Sequence, residues 1–306
     1  MLAASSPLRG AIRTYRLGAV LAIAGVVLTA GVLGAALATL SIRATPAHRV
    51  GVLGQQLALP AANFQAIVLL SLATLGIAVV LAGARSAITV IFGERRLLRT
   101  LSVAGPLTGH DHVWVVHGER PHAFCAGLLR PAVYVSAGAL RRLSDDQLAA
   151  VLAHEHLHRL RRDPLRIVSA RVLGDALFFF PVLRGLTKRY CMLAELAADD
   201  HAVAALGGDR SALAAAMLAF EANGIAPERV DHMSGLTLDW RLPVALAALS
   251  LCGAVALALL VWQLGRRAIL QTTLALPVLS AQPCVVILAL VPLAGAALGM
   301  WATRRC

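Results

Sequence analysis

Four long stretches of the chain carry no charged side chain: residues 17–42, 50–84, 242–265 and 268–303. Each is longer than the about 20 residues an α-helix needs to cross the hydrocarbon core of a bilayer. The second is most densely apolar over residues 66–84. Four membrane-spanning helices are therefore predicted. The pattern changes between residues 93 and 240, where nine of the ten histidines lie. Val113, Trp114, Val115 and Val116, and then Ala132, Val133, Tyr134 and Val135, read as short strands, with Gly118, Pro121, Gly127 and Pro131 as breakers. A helix follows with full start signals: Ser144 as its cap, Gln147 three residues on to close a capping box, and a Leu143–Leu148 staple. It runs through His158 and stops before Pro164. Further helices are predicted at 188–206, ending on Gly207 and Gly208, and at 211–223. The apolar run 176–183 is too short to span, and reads either as an interfacial or re-entrant segment or as buried core.

This organisation predicts a mainly α membrane protein, with about four transmembrane helices around a small α+β domain. Its parts are an N-terminal region with two spans (1–92), the polar domain (93–240) and a C-terminal hairpin of two spans (241–306). Composition agrees. The 306 residues are 58% hydrophobic and 14% charged, against roughly 25% charged in an average soluble protein. A mean hydropathy of +0.75 leaves too little polar surface to cover one soluble globule. Three arginines precede the first span, and Arg85, Arg95, Arg96 and Arg99 follow the second. That placement predicts a plasma-membrane protein whose N-terminus and central domain face the cytoplasm. The length of the first apolar run argues for an uncleaved anchor over a signal peptide. The net charge of +12 fits loops that face anionic lipid. The chain has no finger-type Cys/His spacing and no aromatic–basic interleaving, so nucleic acid is not an expected partner. Five scattered cysteines form no C-x-x-C pair and suggest neither a disulfide framework nor a thiolate metal site.

The chemistry centres on His154-Glu155-His156-Leu157-His158, an H-E-x-x-H on a helix. A spacing of four puts His154 and His158 one turn apart on one face, where both imidazoles can reach one ion. Glu155 flanks that face and can take a proton from a metal-activated water. Zinc, one per chain, suits these ligands. His156 points to the far side. A third ligand is needed; Glu195 and Asp199 on the next helix read either as a solvated stripe or as a ligand with an acid behind it, and beside H-E-x-x-H the ligand reading of Glu195 is preferred. Asp199, one turn on, is placed to hold the free ring nitrogen of a zinc-bound histidine. Asp163 reads as a turn or cap residue, and His232 as a distant candidate for stabilising an oxyanion.

H-E-x-x-H followed by E-x-x-A-D resembles the gluzincin membrane peptidases: the BlaR/MecR-type antirepressor metallopeptidases and the related HtpX-like and CAAX-prenyl-protease group. Residues 124–136 resemble that family's strand segment ahead of the zinc helix. Arg162, Asp163, Pro164 and Leu165 resemble its acidic-proline turn. The likeness covers about residues 110–222. It implies a gluzincin-type zinc peptidase domain, with His154, His158 and Glu195 as ligands, Glu155 as general base and Asp199 behind a ligand. It also implies that Ala132, Val133, Tyr134, Val135 and Ser136 form an edge strand that pairs with extended substrate. The expected partners are the lipid bilayer and a protein substrate, such as a cytoplasmic repressor. The BlaR/MecR sensors carry a penicillin-binding domain that these residues lack, so direct β-lactam sensing is not expected. An HtpX-like quality-control protease and an inactive zinc-holding scaffold are the competing readings.

Overall fold

The structure is a computed structural model and describes residues 6–39, 41–44, 48–52, 55–59, 61–62, 64–220, 227–235, 244–267 and 273–276. In chain order the elements are α1 (Ser6–Thr39), β1 (Ser41–Ala44), β2 (His48–Val52), β3 (Gln55–Leu59), β4 (Ala61–Ala62) and α2 (Phe64–Thr100). Then come β5 (Val103–Pro106), β6 (Val113–Val116), β7 (Ala123–Ala126), β8 (Ala132–Ser136), α3 (Ala137–Arg142) and α4 (Asp145–Arg161). The remainder is α5 (Asp163–Ala176), α6 (Pro181–Ala205), α7 (Ser211–Ala219), α8 (Pro227–Met233), α9 (Val244–Arg267) and β9 (Thr273–Leu276). The chain divides into two compact units, each built from separated segments.

The first unit takes in Met1–Val20, Ala87–Val172 and Leu183–Pro243. Its four-stranded sheet has the order β5-β6-β8-β7. β6 and β8 are parallel, with Val113 opposite Val133, and β7 runs antiparallel to β8. The inward valines Val113, Val133 and Val135 pack on Val151 and Leu152 of α4, which lays that helix across the sheet. Gly127 turns the chain from β7 into β8 at φ +111°, where a Cβ would sit 2.6 Å from the Arg130 carbonyl oxygen. This topology corrects one expectation. Ala132–Ser136 is not an edge strand, because β8 inserts between β6 and β7 and its backbone groups are taken up on both sides. The outer strand next to α4 is β7.

α4 begins as the sequence predicts. Ser144 Oγ accepts from the Gln147 amide and the Gln147 side chain accepts from the Ser144 amide, while Leu143 and Leu148 meet in the core. It ends at Arg162 in the left-handed conformation, and α5 starts at once with Pro164 in its first turn. α6 starts at Pro181, seven residues before the predicted Lys188, and carries Glu195 in its second half.

The second unit takes in Leu21–Ser86, Leu173–Val182 and Val244–Cys306. Here β2 and β3 form an antiparallel hairpin, and β9 pairs with β1 and β4. The apolar run from residue 176 turns from α5 into α6 and is largely buried core: Ala176, Leu177, Phe180 and Val182 are buried, and Ser250 Oγ accepts from the Val182 amide at 3.4 Å.

Two described helical stretches are long and apolar enough to cross a bilayer, Pro7–Gly34 and Ser71–Thr100. Each leaves large apolar side chains exposed, Val20, Ile23 and Val27 in the first and Ile77, Val80 and Leu81 in the second. The second predicted span is helical only from Phe64, because residues 50–62 contain strand segments. The third coincides with α9, whose apolar stretch Ala245–Leu259 is shorter than a full span. Of the fourth, residues 277–303 lie outside the described residues, and Thr273–Leu276 is strand.

Because Ser144 satisfies the first orphan amides of the helix that carries both histidines, Ser144→Ala should lower unfolding stability by about 1 kcal/mol. Thermal or denaturant melts of the two proteins in one detergent would show this, and identical melts would contradict it.

Candidate metal centre

α4 brings His154 and His158 onto its inner face, both 7% exposed, and α6 brings Glu195 against them. The two Nε2 atoms are 3.3 Å apart. Glu195 Oε2 lies 3.5 Å from His154 Nε2, and Oε1 lies 3.6 Å from His158 Nε2. One donor atom from each residue falls within 4.8 Å of the others.

The opposite ring nitrogens are also occupied. His158 Nδ1 donates to Asp163 Oδ2 at 2.9 Å, and His154 Nδ1 lies 3.0 Å from Asp199 Oδ1. Both carboxylates are almost wholly buried. A neutral imidazole with its Nδ1 proton turned to a carboxylate presents a lone pair at Nε2. Two such lone pairs facing each other beside a carboxylate repel unless positive charge lies among them. Two nitrogens and one oxygen, backed by two buried acids, are a donor set that suits zinc.

Protonation shows the same demand for positive charge. Burial works to lower the His154 pKa, but contacts with Asp199 and Glu195 and the charge of Glu155 outweigh it and raise it to about 10. Burial acts to raise the carboxyl groups, yet Glu195 is held low by His154, His158 and Arg229, and Asp199 by His154 and Arg229. Asp163 is held low against its burial by His158, Tyr190 and Arg161.

The other residues singled out in the sequence divide. Glu155 lines the two cavities that flank the cluster, beside His154 and Glu195. His156 turns away and meets Arg159. His232 does not join the cluster; it pairs with Asp200 at 2.7 Å. Asp163 is more than a turn residue, since it grips His158 and accepts from the Tyr190 hydroxyl at 2.6 Å. Arg229, on the short helix α8, had no sequence signal at all. Its Nε donates to Asp199 Oδ2 at 2.9 Å, its Nη2 donates to Oδ1, and Nη1 lies 3.6 Å from Glu195. Thirty residues separate it from Asp199, and no local pattern links them. Cys125 is close by, but burial, then the charges of Glu155 and Asp163, push its thiol up to about 12, so it stays protonated.

The smaller cavity, about 190 Å³, is walled by Val151, Leu213, Ala216, Met217 and Phe220, and touches Ala123 of β7. The larger, about 630 Å³, is lined by Phe124, Cys125 and Ala126 of β7 and by α2 and α5. β7 therefore runs past the cluster from one cavity to the other.

Residues 94–227 match the model of peptidase family M48. No solved structure matches the chain. The match supports a metallopeptidase, and M48 peptidases are zinc enzymes.

Three predictions follow from the shared protons and ligands. Asp163→Asn and Asp199→Asn should each weaken zinc binding about 10- to 100-fold, measured by chelator competition. In metal-free protein the folded His154 pKa of about 10 lies above its unfolded value of about 6.5, so its stabilising contribution is full below that value and is lost as pH rises toward 10. Asp163, Asp199 and Glu195, held low, contribute above their unfolded values and lose that contribution in acid. Metal-free melts should therefore decline on both sides of neutrality. Zinc uptake near pH 7 should release a proton to an indicator dye.

Proposed function

We propose that the M48-type domain makes this chain a membrane-embedded zinc endopeptidase that cleaves a protein substrate at the cytoplasmic face of the plasma membrane. The observation that carries this reading is the convergence of His154, His158 and Glu195, with Glu155 beside them at the meeting point of two cavities. The apolar helical stretches Pro7–Gly34 and Ser71–Thr100 favour a multi-pass anchor, and Arg9, Arg13 and Arg16 at the start of the first with Arg85, Arg95, Arg96 and Arg99 in the later part of the second favour the orientation.

His154, His158 and Glu195 would hold zinc, which when bound polarises a peptide carbonyl and acidifies water. Glu155, half-buried and next to His154, accepts the proton of the attacking water and returns it to the leaving amine. Asp163 and Asp199 fix which ring nitrogen each histidine presents. β7 offers its outer edge to an extended substrate, in the role the family likeness implied for β8. Val151, Leu213 and Phe220 on one side and Phe124 and Leu128 on the other would line the path of the substrate.

A regulatory or signalling protein is the preferred substrate, following the BlaR/MecR likeness. The size and apolar lining of the larger cavity, with Thr89, Val90, Gly93 and Leu97 of α2 in its wall, favour a second reading: a quality-control protease for membrane proteins.

Glu155→Gln should keep about one zinc per chain and lose peptidase activity by roughly 10²- to 10⁴-fold, whereas Glu195→Ala should lose the zinc. Metal analysis of folded, detergent-purified protein tests both, and zinc absent from wild type as well would end the peptidase reading. In cells, persistence of one regulator in Glu155→Gln marks the signalling role, and accumulation of many membrane proteins marks quality control.

A further inference from the structure

The family match begins at residue 94, but the unit that holds the metal cluster also includes Met1–Val20. The first turns of α1 pack on α6. Ala11 is fully buried against Tyr190, Leu193 and Ala194. Gly10 comes so close that a Cβ there would lie 3.3 Å from Leu193 Cδ1. One turn on, the ring of Tyr15 lies against that of Tyr190, centroids 5.2 Å apart and tilted by 47°. The guanidinium of Arg166, from α5, sits over the Tyr15 ring at 5.5 Å.

Tyr190 then reaches the cluster. Its side chain is 1% exposed, and its hydroxyl donates to Asp163 Oδ1 at 2.6 Å. The other oxygen of that carboxylate, Oδ2, accepts from His158 Nδ1. Burial, then the charge of Asp163, raise the Tyr190 pKa, so the hydroxyl stays a donor. Packing is continuous from α1 to the ring of His158: Tyr15, Tyr190, Asp163, His158.

We propose that the first turns of α1 belong to the metal site, with Tyr15 and Tyr190 as positioning residues that orient Asp163 and, through it, His158. The docking of α1 and the binding of zinc are then coupled, and the coupling is reciprocal: zinc tightens α1 as much as docked α1 tightens zinc. The docked turns are the first part of the apolar stretch Pro7–Gly34, so a displacement of residues 7–20 reaches a zinc ligand without touching substrate. The proposal rests on the metallopeptidase reading and goes beyond it, because it places a residue outside the matched domain in control of the site.

The test uses the full chain in detergent, with zinc affinity from chelator competition, the visible spectrum of the cobalt form, and hydrogen exchange of residues 7–20 with and without zinc. Tyr190→Phe, which removes only the hydroxyl, should weaken zinc about 10-fold and alter the cobalt spectrum. Tyr15→Leu should weaken zinc in the same direction, about 3-fold, and the double variant should lose less than the product of the two. Zinc should slow exchange in α1 of wild type, but not in Tyr190→Phe. Val20→Ala, on the exposed side of the same helix, should behave as wild type. Should Tyr15→Leu not fold, Arg166→Met loosens the same ring from α5 and must give the same result. Zinc affinity indifferent to Tyr15 and Arg166, together with α1 exchange indifferent to zinc, overturns the proposal alone. A wild-type chain that takes up no zinc overturns the metallopeptidase reading and this proposal with it.

Discussion

Two imidazole nitrogens held 3.3 Å apart, both turned toward one carboxylate, need positive charge among them. The surrounding structure enforces this arrangement. Asp163 and Asp199 grip the far ring nitrogens from inside the protein, and each acid is gripped in turn, by Tyr190 and by Arg229. With the ligands held from behind, little reorganisation is needed when the metal binds. The cost is a cluster of buried charge that is balanced only when a proton or a metal is present.

The fold serves this centre in two directions. On one side the sheet supports α4 through the valines of β6 and β8, and leaves β7 as the outer strand beside the ligands. That strand runs from the smaller cavity, where His122, Glu155 and Arg229 share the wall with apolar side chains, to the larger one. On the other side α6 carries Glu195 and Asp199 toward the two histidines, and Tyr190 and Leu193 toward α1. One helix therefore connects the chemistry to the N-terminal segment.

What could be read from the chain followed the range of the interactions. The α4 capping box, the i, i+4 spacing of the histidines and the Glu195/Asp199 pair on one helix face are local, so their spacing shows in the sequence. Asp163 was visible, but its role was not, since a residue at a helix boundary reads as a turn until its partner is known. The choice of β8 as the edge failed for a related reason. The family likeness pointed to residues 132–136, residues 123–126 carried no strand reading of their own, and strand order depends on which strand inserts between its neighbours. Counting spans by charge-free runs overlooked that strands can occupy such a run, as they do before Phe64.

Sequence alone determined the helix that bears H-E-x-x-H, the charge-free apolar segments at 17–42 and 66–84, which overlap the helical stretches at 7–34 and 71–100, and the residue types able to hold a metal. These depend on periodicity, capping and composition, which act over one or two helical turns. Only the tertiary structure decided that Asp163 faces His158, that Arg229 reaches Asp199 across thirty residues, that β7 is the outer strand, and that Tyr15 lies against Tyr190. Each of these joins side chains from different elements, and packing rather than spacing along the chain sets which of them meet.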